Sequence, residues 1–221
     1  MKSLVIFGVG ELAQLAHFYF SRDSDYEVRG FSVDPPYLKE PTLFGLPVVP
    51  FADIATTFPP STHEAFVALG YSRLNANRRE RFKQLRSMGY SLATYVSSAA
   101  KVWPDLVIGA NCLIMESNVI QPFVRIGDNV IIWAGNLVSH HVTIGDHSFV
   151  SSHVTISGGV TIGQSCFVGI NSTIREHVRI ADNCIIGARA LILKDTEADS
   201  AYVEEPTPKL DIPASRLGGL L

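Results

Sequence analysis

The chain lacks the features of a secreted, membrane-bound or nucleic-acid-binding protein. It has only three cysteines, none in a C-x-x-C pair, so neither a disulfide framework nor a zinc ribbon is indicated. Its first hydrophobic run is far shorter than a signal peptide, and no segment approaches the length of a membrane span. The net charge of −3 gives no general attraction for nucleic acid or an anionic membrane. We therefore expect a cytoplasmic protein with neither as a partner.

A six-residue repeat fills the second half of the chain. Val or Ile occupies every sixth position from Val96 to Ile192 without a gap. Glycine follows at positions 109, 127, 145 and 163, and again at 169 and 187, so equivalent sites recur every eighteen residues. This period fits neither a helix nor one long strand, but three short strands and their turns fit one turn of a coil. Residues 96–193 are therefore predicted to form a triangular parallel β-helix, with stacked strands ~4.8 Å apart.

The same register places the cysteines. A second small or apolar residue follows each Val or Ile by four positions, and Cys112, Cys166 and Cys184 all occupy this position. It is the second inward-facing position of the repeat. The three thiols are therefore predicted to lie in the core rather than to act as ligands or nucleophiles.

Residues 1–95 alternate apolar strands with helices, as an α/β domain does. A strand over 2–7 leads through Gly8 and Gly10 into a helix, and a second strand ends at Asp34. Such a glycine turn lets backbone N–H groups and the helix N-terminus approach a phosphate, while Asp34 is placed to accept a hydrogen bond from a ribose or base. Fewer than a hundred residues make half of a Rossmann-like domain, which favours a nucleotide attached to another group over a whole NAD. The alternative is that the glycines serve packing only. We interpret the Arg-rich helix over 75–87 as a solvated face, with a phosphate clamp as the alternative.

Five of the seven histidines lie in the coil, which raises the question of a metal site. His141, His147 and His153 are six apart, so they fall on three different corners. His141 and His177 share a corner but are two coils, or ~9.6 Å, apart, too far for one ion with Zn–N bonds of ~2.0 Å. No metal is expected within one chain, and a site assembled across subunits stays open.

His140 differs from these histidines in its position within the repeat. It takes the second position after the aliphatic residue, whereas the others take the third. One coil later, the same corner carries Gly158 and Gly159. Their missing side chains predict a notch in which a thin, flexible substrate lies beside His140. The alternative is a solvent-facing turn histidine next to an ordinary glycine corner.

These residues resemble a known family. The segments 138–146, 157–159 and 169–174, joined to a glycine-turn α/β domain, are similar to those of the left-handed β-helix sugar acyltransferases with hexapeptide repeats. More narrowly, they resemble the bacterial enzymes that acetylate an amino group on a nucleotide-linked deoxysugar. The left hand of the coil is implied by this resemblance, because the repeat period does not determine it. The expected fold is an α/β half-Rossmann-like domain followed by a left-handed parallel β-helix.

The resemblance implies an activity and its site. It implies a homotrimer, with acetyl-CoA in the groove between neighbouring coils and a nucleotide-linked amino sugar reaching in from the N-terminal domain. His140 matches the family's general base for direct acetyl transfer, and backbone N–H groups near Gly158 would stabilise the oxyanion. His141 stands where the family often has an acid, so the partner that orients His140 stays open between Glu176 and a neighbouring subunit. The residues implied to lie along the carrier are Gly158, Gly159, Asn171, Ala188 and Lys194.

Further positions complete these expectations. Trp133 and Asn136 are expected to line the sugar pocket, with an inter-subunit position as the alternative for Trp133. Phe149 and Phe167 face outward one coil apart, and we expect them at a subunit interface. Residues 194–221 are predicted to be a C-terminal cap or tail, whose acidic residues 204 and 205 are unfavourable beside anionic CoA.

Three functions compete. The leading one is an acetyl-CoA-dependent sugar N-acetyltransferase of surface-polysaccharide biosynthesis. A sugar O-acyltransferase needs the same base, because a hydroxyl nucleophile must also lose its proton. A non-catalytic β-helix scaffold with a ligand-sensing α/β domain is the third reading.

Overall fold

The computed structural model describes residues 2–209. Its N-terminal domain is a five-stranded sheet flanked by helices. The elements in chain order are β1 (Lys2–Phe7), α1 (Glu11–Arg22), β2 (Tyr26–Val33), β3 (Thr42–Leu43), β4 (Leu46–Pro50), α2 (Ile54–Thr57), β5 (His63–Val67) and α3 (Ala76–Ser87). The sheet order is β3-β4-β2-β1-β5, and every pair is parallel except β3 with β4. Because β2 and β5 lie on opposite sides of β1, the carboxyl end of β1 is a topological switch point, where open α/β sheets bind ligands.

The apolar run of β1 is buried on both sides. Leu4 and Ile6 pack with α1 in one core, and Val5 and Phe7 pack with α2 and α3 in a second core. A strand covered on both faces needs a continuous apolar run, as β1 has. Within the described residues, no helix combines the length and hydropathy needed to cross a bilayer.

The coil is a three-sided prism of two-residue parallel strands. The first face contains β7 (Lys101–Val102), β10 (Val119–Ile120), β13 (Leu137–Val138), β16 (Thr155–Ile156), β19 (Thr173–Ile174) and β22 (Leu191–Ile192). The second face contains β8 (Val107–Ile108), β11 (Arg125–Ile126), β14 (Thr143–Ile144), β17 (Thr161–Ile162) and β20 (Arg179–Ile180). The third face contains β6 (Tyr95–Val96), β9 (Leu113–Ile114), β12 (Ile131–Ile132), β15 (Phe149–Val150), β18 (Phe167–Val168), β21 (Ile185–Ile186) and β23 (Ala201–Tyr202).

The predicted fold class is confirmed by this topology. Strands eighteen residues apart pair in register along each face, as the repeat required. The second residue of each strand points inward and joins a single core, in which Cys112, Cys166 and Cys184 are fully buried as free thiols. The prediction of core thiols is therefore also confirmed. The strand β23 extends the third face within the segment that we predicted as a tail.

The N-terminal domain covers the third face of its own coil. Leu113, Ile131 and Phe149 share a core with Phe20 of α1. The expectation that Phe149 and Phe167 form a subunit interface is therefore wrong. Phe149 is only 3% exposed, and the Tyr71 ring lies 5.1 Å from its ring centroid and 4.6 Å from that of Phe167. An outward register position does not reveal that a domain of the same chain covers it.

The helix α3 joins the two domains, so the interpretation of its arginines as a solvated face is also wrong. Arg78 is 0% exposed and donates to carbonyl groups of both domains. Arg79 donates to Ser165 Oγ at 3.1 Å, and Arg86 pairs with Asp128 at 3.2 Å. The helix therefore lies along the corner between the second and third faces, with these three arginines directed at the coil.

His147 lies beneath α3 and makes the stability of this joint sensitive to pH. It is 7% exposed, its Nδ1 lies 3.0 Å from Asn129 Nδ2, and the Phe82 ring packs edge-on against it. Because Nδ1 accepts from the Asn129 amide, the buried ring is neutral. Burial, and after it the nearby Arg78, lowers the pKa of His147 to about 4, against the opposing effect of Asp146.

We expect the fold to lose stability as the pH falls from about 6.5 towards 4. In this window the unfolded chain binds a proton on His147 that the folded chain does not, so unfolding becomes easier by roughly 2–4 kcal/mol. Urea unfolding at several pH values measures this slope. His147→Asn should flatten it, because Asn183 already occupies the same corner with a similar left-handed backbone. An equal slope in the wild type and the variant would contradict the assignment.

Candidate active site

The candidate catalytic histidine lies on the corner between the first and second faces, which we call the His140 corner (residues 121–124, 139–142, 157–160 and 175–178). The His140 N–H donates to Gln121 Oε1 at 2.9 Å, which fixes its backbone to the preceding coil. Its side chain is exposed. His140 therefore stands on a rigid wall with an accessible imidazole.

The glycine one coil later makes room for this ring. A Cβ added to Gly158 would lie 2.6 Å from His140 Cε1 and 2.8 Å from its Nε2. A Cβ on Gly159 would likewise lie 2.4 Å from His177 Nδ1. The sequence led us to expect an open notch at the paired glycines. The structure shows none, because the imidazoles of His140 and His177 occupy that space. Gly158 instead makes room for the His140 ring, whose Cε1 and Nε2 lie beside it.

His141 is in contact with His140 through the other ring nitrogen. The two Nδ1 atoms are 3.1 Å apart, and the ring planes are nearly perpendicular. One nitrogen must therefore donate and the other accept. If His140 carries its proton on Nδ1, it donates to His141, and its Nε2 is left with a free lone pair. The expected partner Glu176 is exposed and forms no hydrogen bond to His140 within residues 2–209.

The residues implied to lie along the carrier are brought to one face of the prism. Gly158 and Lys194 lie at the edge of the first face that forms the His140 corner, and Asn171 and Ala188 lie at its other edge. Leu137, Thr173 and Leu191 on this face are exposed. The outward side chains of this face from His140 towards the last coil are therefore two leucines and two threonines, Leu137, Thr155, Thr173 and Leu191.

The segment after β23 runs beside Ala188. Arg189 Nη1 donates to Thr207 Oγ1 at 3.3 Å, and its Nε lies 3.9 Å from Glu204. The acidic pair expected to oppose CoA is thus partly neutralised by a basic residue of the coil. Residues 210–221 of the predicted tail lie outside the described residues.

The second region of interest is a cleft of about 690 Å³ at the carboxyl ends of β1 and β2, which we call the N-terminal cleft. Gly8, Gly10 and Asp34 all line it, so the structure brings together the three residues predicted to bind the nucleotide. Tyr37, Lys39, Ser72 and Arg81 also line it, and of these only Arg81, in the Arg-rich helix, was suggested by the sequence as a phosphate contact. The other three have no sequence signal, because Tyr37 and Lys39 belong to the connection between β2 and β3 and Ser72 belongs to the loop before α3.

The two glycines of the turn are there for different reasons. Gly8 has a φ of +122°, and an added Cβ would lie 2.8 Å from the Ala68 carbonyl oxygen, so packing explains it. Gly10 has no atom within 4 Å of an added Cβ and an ordinary φ of −77°. It precedes α1 without a capping side chain. Gly10 therefore leaves the first turn of α1 open to a ligand, with free N–H groups and a positive dipole end.

Arg81 is one of two cationic residues that line the cleft, the other being Lys39. Its Nη2 lies 2.7 Å from both carboxylate oxygens of Asp34, and its guanidinium is 3.8 Å from the Phe51 ring centroid and 4.2 Å from that of Phe7. These contacts hold Asp34 and Arg81 in place before a ligand arrives. A ribose hydroxyl and a phosphate are the groups such a pair recognises.

The two residues expected in the sugar pocket have other environments. Asn136 is 2% exposed, and its amide bonds Asn118, Trp133 and the Val154 N–H inside the coil. Asn136 is therefore a structural residue, and that expectation is corrected. Trp133 packs at the junction with the N-terminal domain, and its Nε1 is buried without a hydrogen-bond partner in the described chain. Neither residue faces His140, because both lie in the corner between the third and first faces, between β12 and β13.

The cleft and His140 of one chain lie on opposite sides of the coil. The N-terminal domain covers the third face, whereas the His140 corner is the edge opposite that face. Within the domain, α3 turns Arg78 and Phe82 to the coil and Asn77 and Arg81 to the cleft. A ligand in the cleft is thus separated from the His140 of its own chain by α3 and the prism.

No group of three or more His, Cys, Asp and Glu side chains among residues 2–209 is arranged to hold a metal ion.

Comparisons with known proteins agree with this architecture. The family described as bacterial transferase hexapeptide (six repeats) matches residues 105–140 and 159–194. No curated protein sequence matches the chain. Among solved structures, the acetyltransferase domain of PglB from Neisseria gonorrhoeae superposes with a TM-score of 0.82 at 22% identity, over 91% of this chain and 96% of that one.

Structures of an enzyme from Caulobacter crescentus are also similar. PerB in complex with CoA and GDP-perosamine has a TM-score of 0.79 at 26% identity, over 90% of this chain and 92% of that one. A variant of this perosamine N-acetyltransferase with a histidine replaced by asparagine, again with CoA and GDP-perosamine, has a TM-score of 0.80 at 23% identity, over 91% and 93%.

The chain thus contains hexapeptide repeats that match the bacterial transferase model, and it shares its fold with the acetyltransferases PglB and PerB. The predicted resemblance to sugar acyltransferases that carry an N-terminal α/β domain is confirmed by these matches.

Proposed function

We propose that the protein is an acetyl-CoA-dependent N-acetyltransferase acting on the amino group of a nucleotide-linked amino deoxysugar in surface-polysaccharide synthesis. The observation that carries the proposal is the exposed His140 imidazole, whose Nε2 lies beside Gly158 while its Nδ1 is engaged by His141. The N-terminal cleft supplies a second site with the chemistry of a nucleotide pocket. The complex of PerB with CoA and GDP-perosamine supports both ligand assignments.

The transfer needs one base and no covalent enzyme intermediate. The sugar amine attacks the thioester carbonyl, the N–C bond forms, and His140 Nε2 takes the proton that the nitrogen must lose. The C–S bond then breaks, and the same proton passes to the departing CoA thiolate. The Gly158 N–H is the proposed donor to the oxyanion. His141 Nδ1 accepts a hydrogen bond from the His140 Nδ1–H, which keeps the His140 proton on Nδ1 and leaves Nε2 as the basic nitrogen.

We further propose a homotrimer in which one copy presents the sugar to the base of another. The support is the separation of the N-terminal cleft from the His140 corner within one chain. The exposed apolar residues of the first face, Leu137 and Leu191, are suited to contact with a neighbouring coil. Acetyl-CoA would then run between coils from His140 past Gly159, Asn171 and Ala188 to Lys194.

A panel of nucleotide-linked amino sugars with acetyl-CoA tests the reaction. We expect release of free CoA thiol and an acetylated product in which the amide nitrogen carries the acetyl group. An ester product would establish O-acylation instead. No thiol release with any member of the panel would favour the scaffold reading and overturn the proposal.

Mixed assemblies test the shared site. We expect His140→Asn copies and Arg81→Ala copies to be nearly inactive alone. Trimers containing both should recover about one third of the wild-type rate, because one of three cyclic interfaces then pairs an intact cleft with an intact base. Differently tagged copies purified on both tags provide the sample, and light scattering gives its mass. An absence of recovery in verified mixed trimers would place the whole site within one chain.

A further inference from the structure

One aromatic ring on the His140 corner is exposed without a role in the fold. Phe123 stands one coil before His141, is 61% exposed, and has a φ of +67°. Bulky residues rarely adopt this left-handed backbone. Equivalent corner positions carry residues such as Asn111, Asn129 and Ser165 instead. The ring contacts His141 with centroids 4.7 Å apart and leaves its other face to solvent.

This ring forms one wall of a small pocket beside the histidine pair. The pocket has a volume of about 430 Å³, and we call it the corner pocket; it is lined by Asp105, Val107, Phe123, Val124, Arg125 and His141. The Phe123 N–H donates to Asp105 Oδ2 at 3.3 Å, which ties the carboxylate to the ring. Neither Asp105 nor Arg125 forms an ion pair with any residue between 2 and 209. Both charges are thus available to a ligand.

The chemistry of the corner pocket fits an amino sugar. An alkyl amine is protonated at neutral pH, and a carboxylate and an aromatic face both attract such a cation. The flat ring of Phe123 also suits the apolar face and the methyl group of a deoxysugar. Arg125 is a donor for ring hydroxyls or a phosphate.

The two sides of His140 along the corner differ in character. Towards the N-terminus lie the corner pocket and the exposed Trp103. Towards the C-terminus lie Gly158 and then exposed charges of both signs, namely Arg175, Glu176, Lys194 and Asp195. The N-terminal side of His140 is therefore the side that offers an aromatic surface to a sugar ring.

We propose that the corner pocket binds the amino-sugar ring of the acceptor, with Phe123 as its apolar wall and Asp105 as the partner of the ammonium group before deprotonation. This inference rests on the proposed function and makes Phe123 and Asp105 determinants of acceptor specificity. They are distinct from the nucleotide-binding residues of the N-terminal cleft.

Phe123→Asn is the decisive variant, because asparagine occupies equivalent corners and relieves the backbone. We expect the KM for the sugar nucleotide to rise about tenfold or more, because the loss of an aromatic contact with a bound ligand weakens binding by that order. The KM for acetyl-CoA should stay within about twofold. Calorimetry should find unchanged affinity for the nucleoside diphosphate alone, which binds in the cleft. Asp105→Asn keeps the acceptor for the Phe123 N–H, and it should raise the same KM.

Phe44 offers a matched control. It is 56% exposed, has a φ of +53°, and stacks on His17 with centroids 4.7 Å apart, far from the His140 corner. Phe44→Asn should leave both KM values unchanged.

Three results with Phe123→Asn would overturn the inference. A loss of kcat at unchanged sugar KM would make Phe123 a brace for His141 only. A higher KM for acetyl-CoA would make the pocket part of the carrier site. Dissociation of the assembly, seen by light scattering, would make the ring an interface contact. Failure of the proposed function is separate, since it appears as absent turnover in the wild type.

Discussion

Replacement of His140 by asparagine is expected to lower kcat by ~10²–10⁴-fold, which is the range for loss of a positioned general base. Neither KM should change much. Asparagine has an amide in place of the ring but no lone pair of suitable basicity at the position of Nε2. The side chain is exposed and supports no core contact, so thermal unfolding should match the wild type. Steady-state kinetics at saturating acetyl-CoA, with circular dichroism as the check on folding, measure both quantities.

Gly158→Ala tests the same base without removing it. The added Cβ would lie 2.6 Å from His140 Cε1, and the backbone at Gly158 does not require glycine by its φ, so the ring must move while the coil stays intact. A displacement on the order of 1 Å can cost ~10²-fold in rate. Gly135→Ala is a stricter control for folding: its Cβ meets the His153 ring on a different corner, and because Gly135 has a φ of +80° the variant also adds backbone strain that Gly158→Ala lacks. If Gly158→Ala and Gly135→Ala were equally active per folded molecule, the position of the His140 ring would not matter for the reaction.

The sequence was sufficient for the coil because every repeat carries its own signal. An aliphatic residue at each sixth position determines which side chain points inward, and the pairing of strands eighteen residues apart follows from it. The positions of His140, Gly158 and the buried cysteines could be read from that register. The contact between the two Nδ1 atoms could not, because it depends on the rotation of two side chains at one turn.

Contacts between the domains left no such signal. Arg78, Phe149 and Trp133 look like surface residues of their own elements, and only the docking of α3 and α1 on the third face buries them. In the sequence Asn136 looks like a polar residue near the site, yet in the structure its amide and its backbone N–H are hydrogen-bonded to Asn118 in the same corner. The six-residue period predicts whether a side chain points into or out of the coil, but it does not predict which other part of the chain covers an outward side chain.

Replacement of Arg78, which lies between the two domains, by alanine is expected to have the second large effect. The free energy of unfolding should fall by about 3–5 kcal/mol, which is the range for breaking a buried charged network. The guanidinium is 0% exposed and donates to the carbonyl oxygens of Leu69, Gly70, Asn129, His147 and Ser148 and to Asn75 Oδ1. Burial lowers its pKa to about 9, so the side chain remains charged at neutral pH. Alanine leaves these acceptors without a donor in a space that water does not readily fill.

The position of Arg78 also determines what should unfold first. Its acceptors come from the β5–α3 loop on one side and from the coil on the other, so its loss should release the N-terminal domain from the third face before the coil melts. Trp133 packs in the shared core, whereas Trp103 is exposed, so a Trp103→Phe background leaves one fluorophore that reports on the junction. We expect its emission to shift at a lower urea concentration than the circular dichroism of the strands.

Arg86→Ala removes an exposed ion pair to Asp128 from the same helix and should lower the free energy of unfolding by less than about 1 kcal/mol. If Arg78→Ala and Arg86→Ala unfolded at the same urea concentration, the buried guanidinium would not be what holds the two domains together.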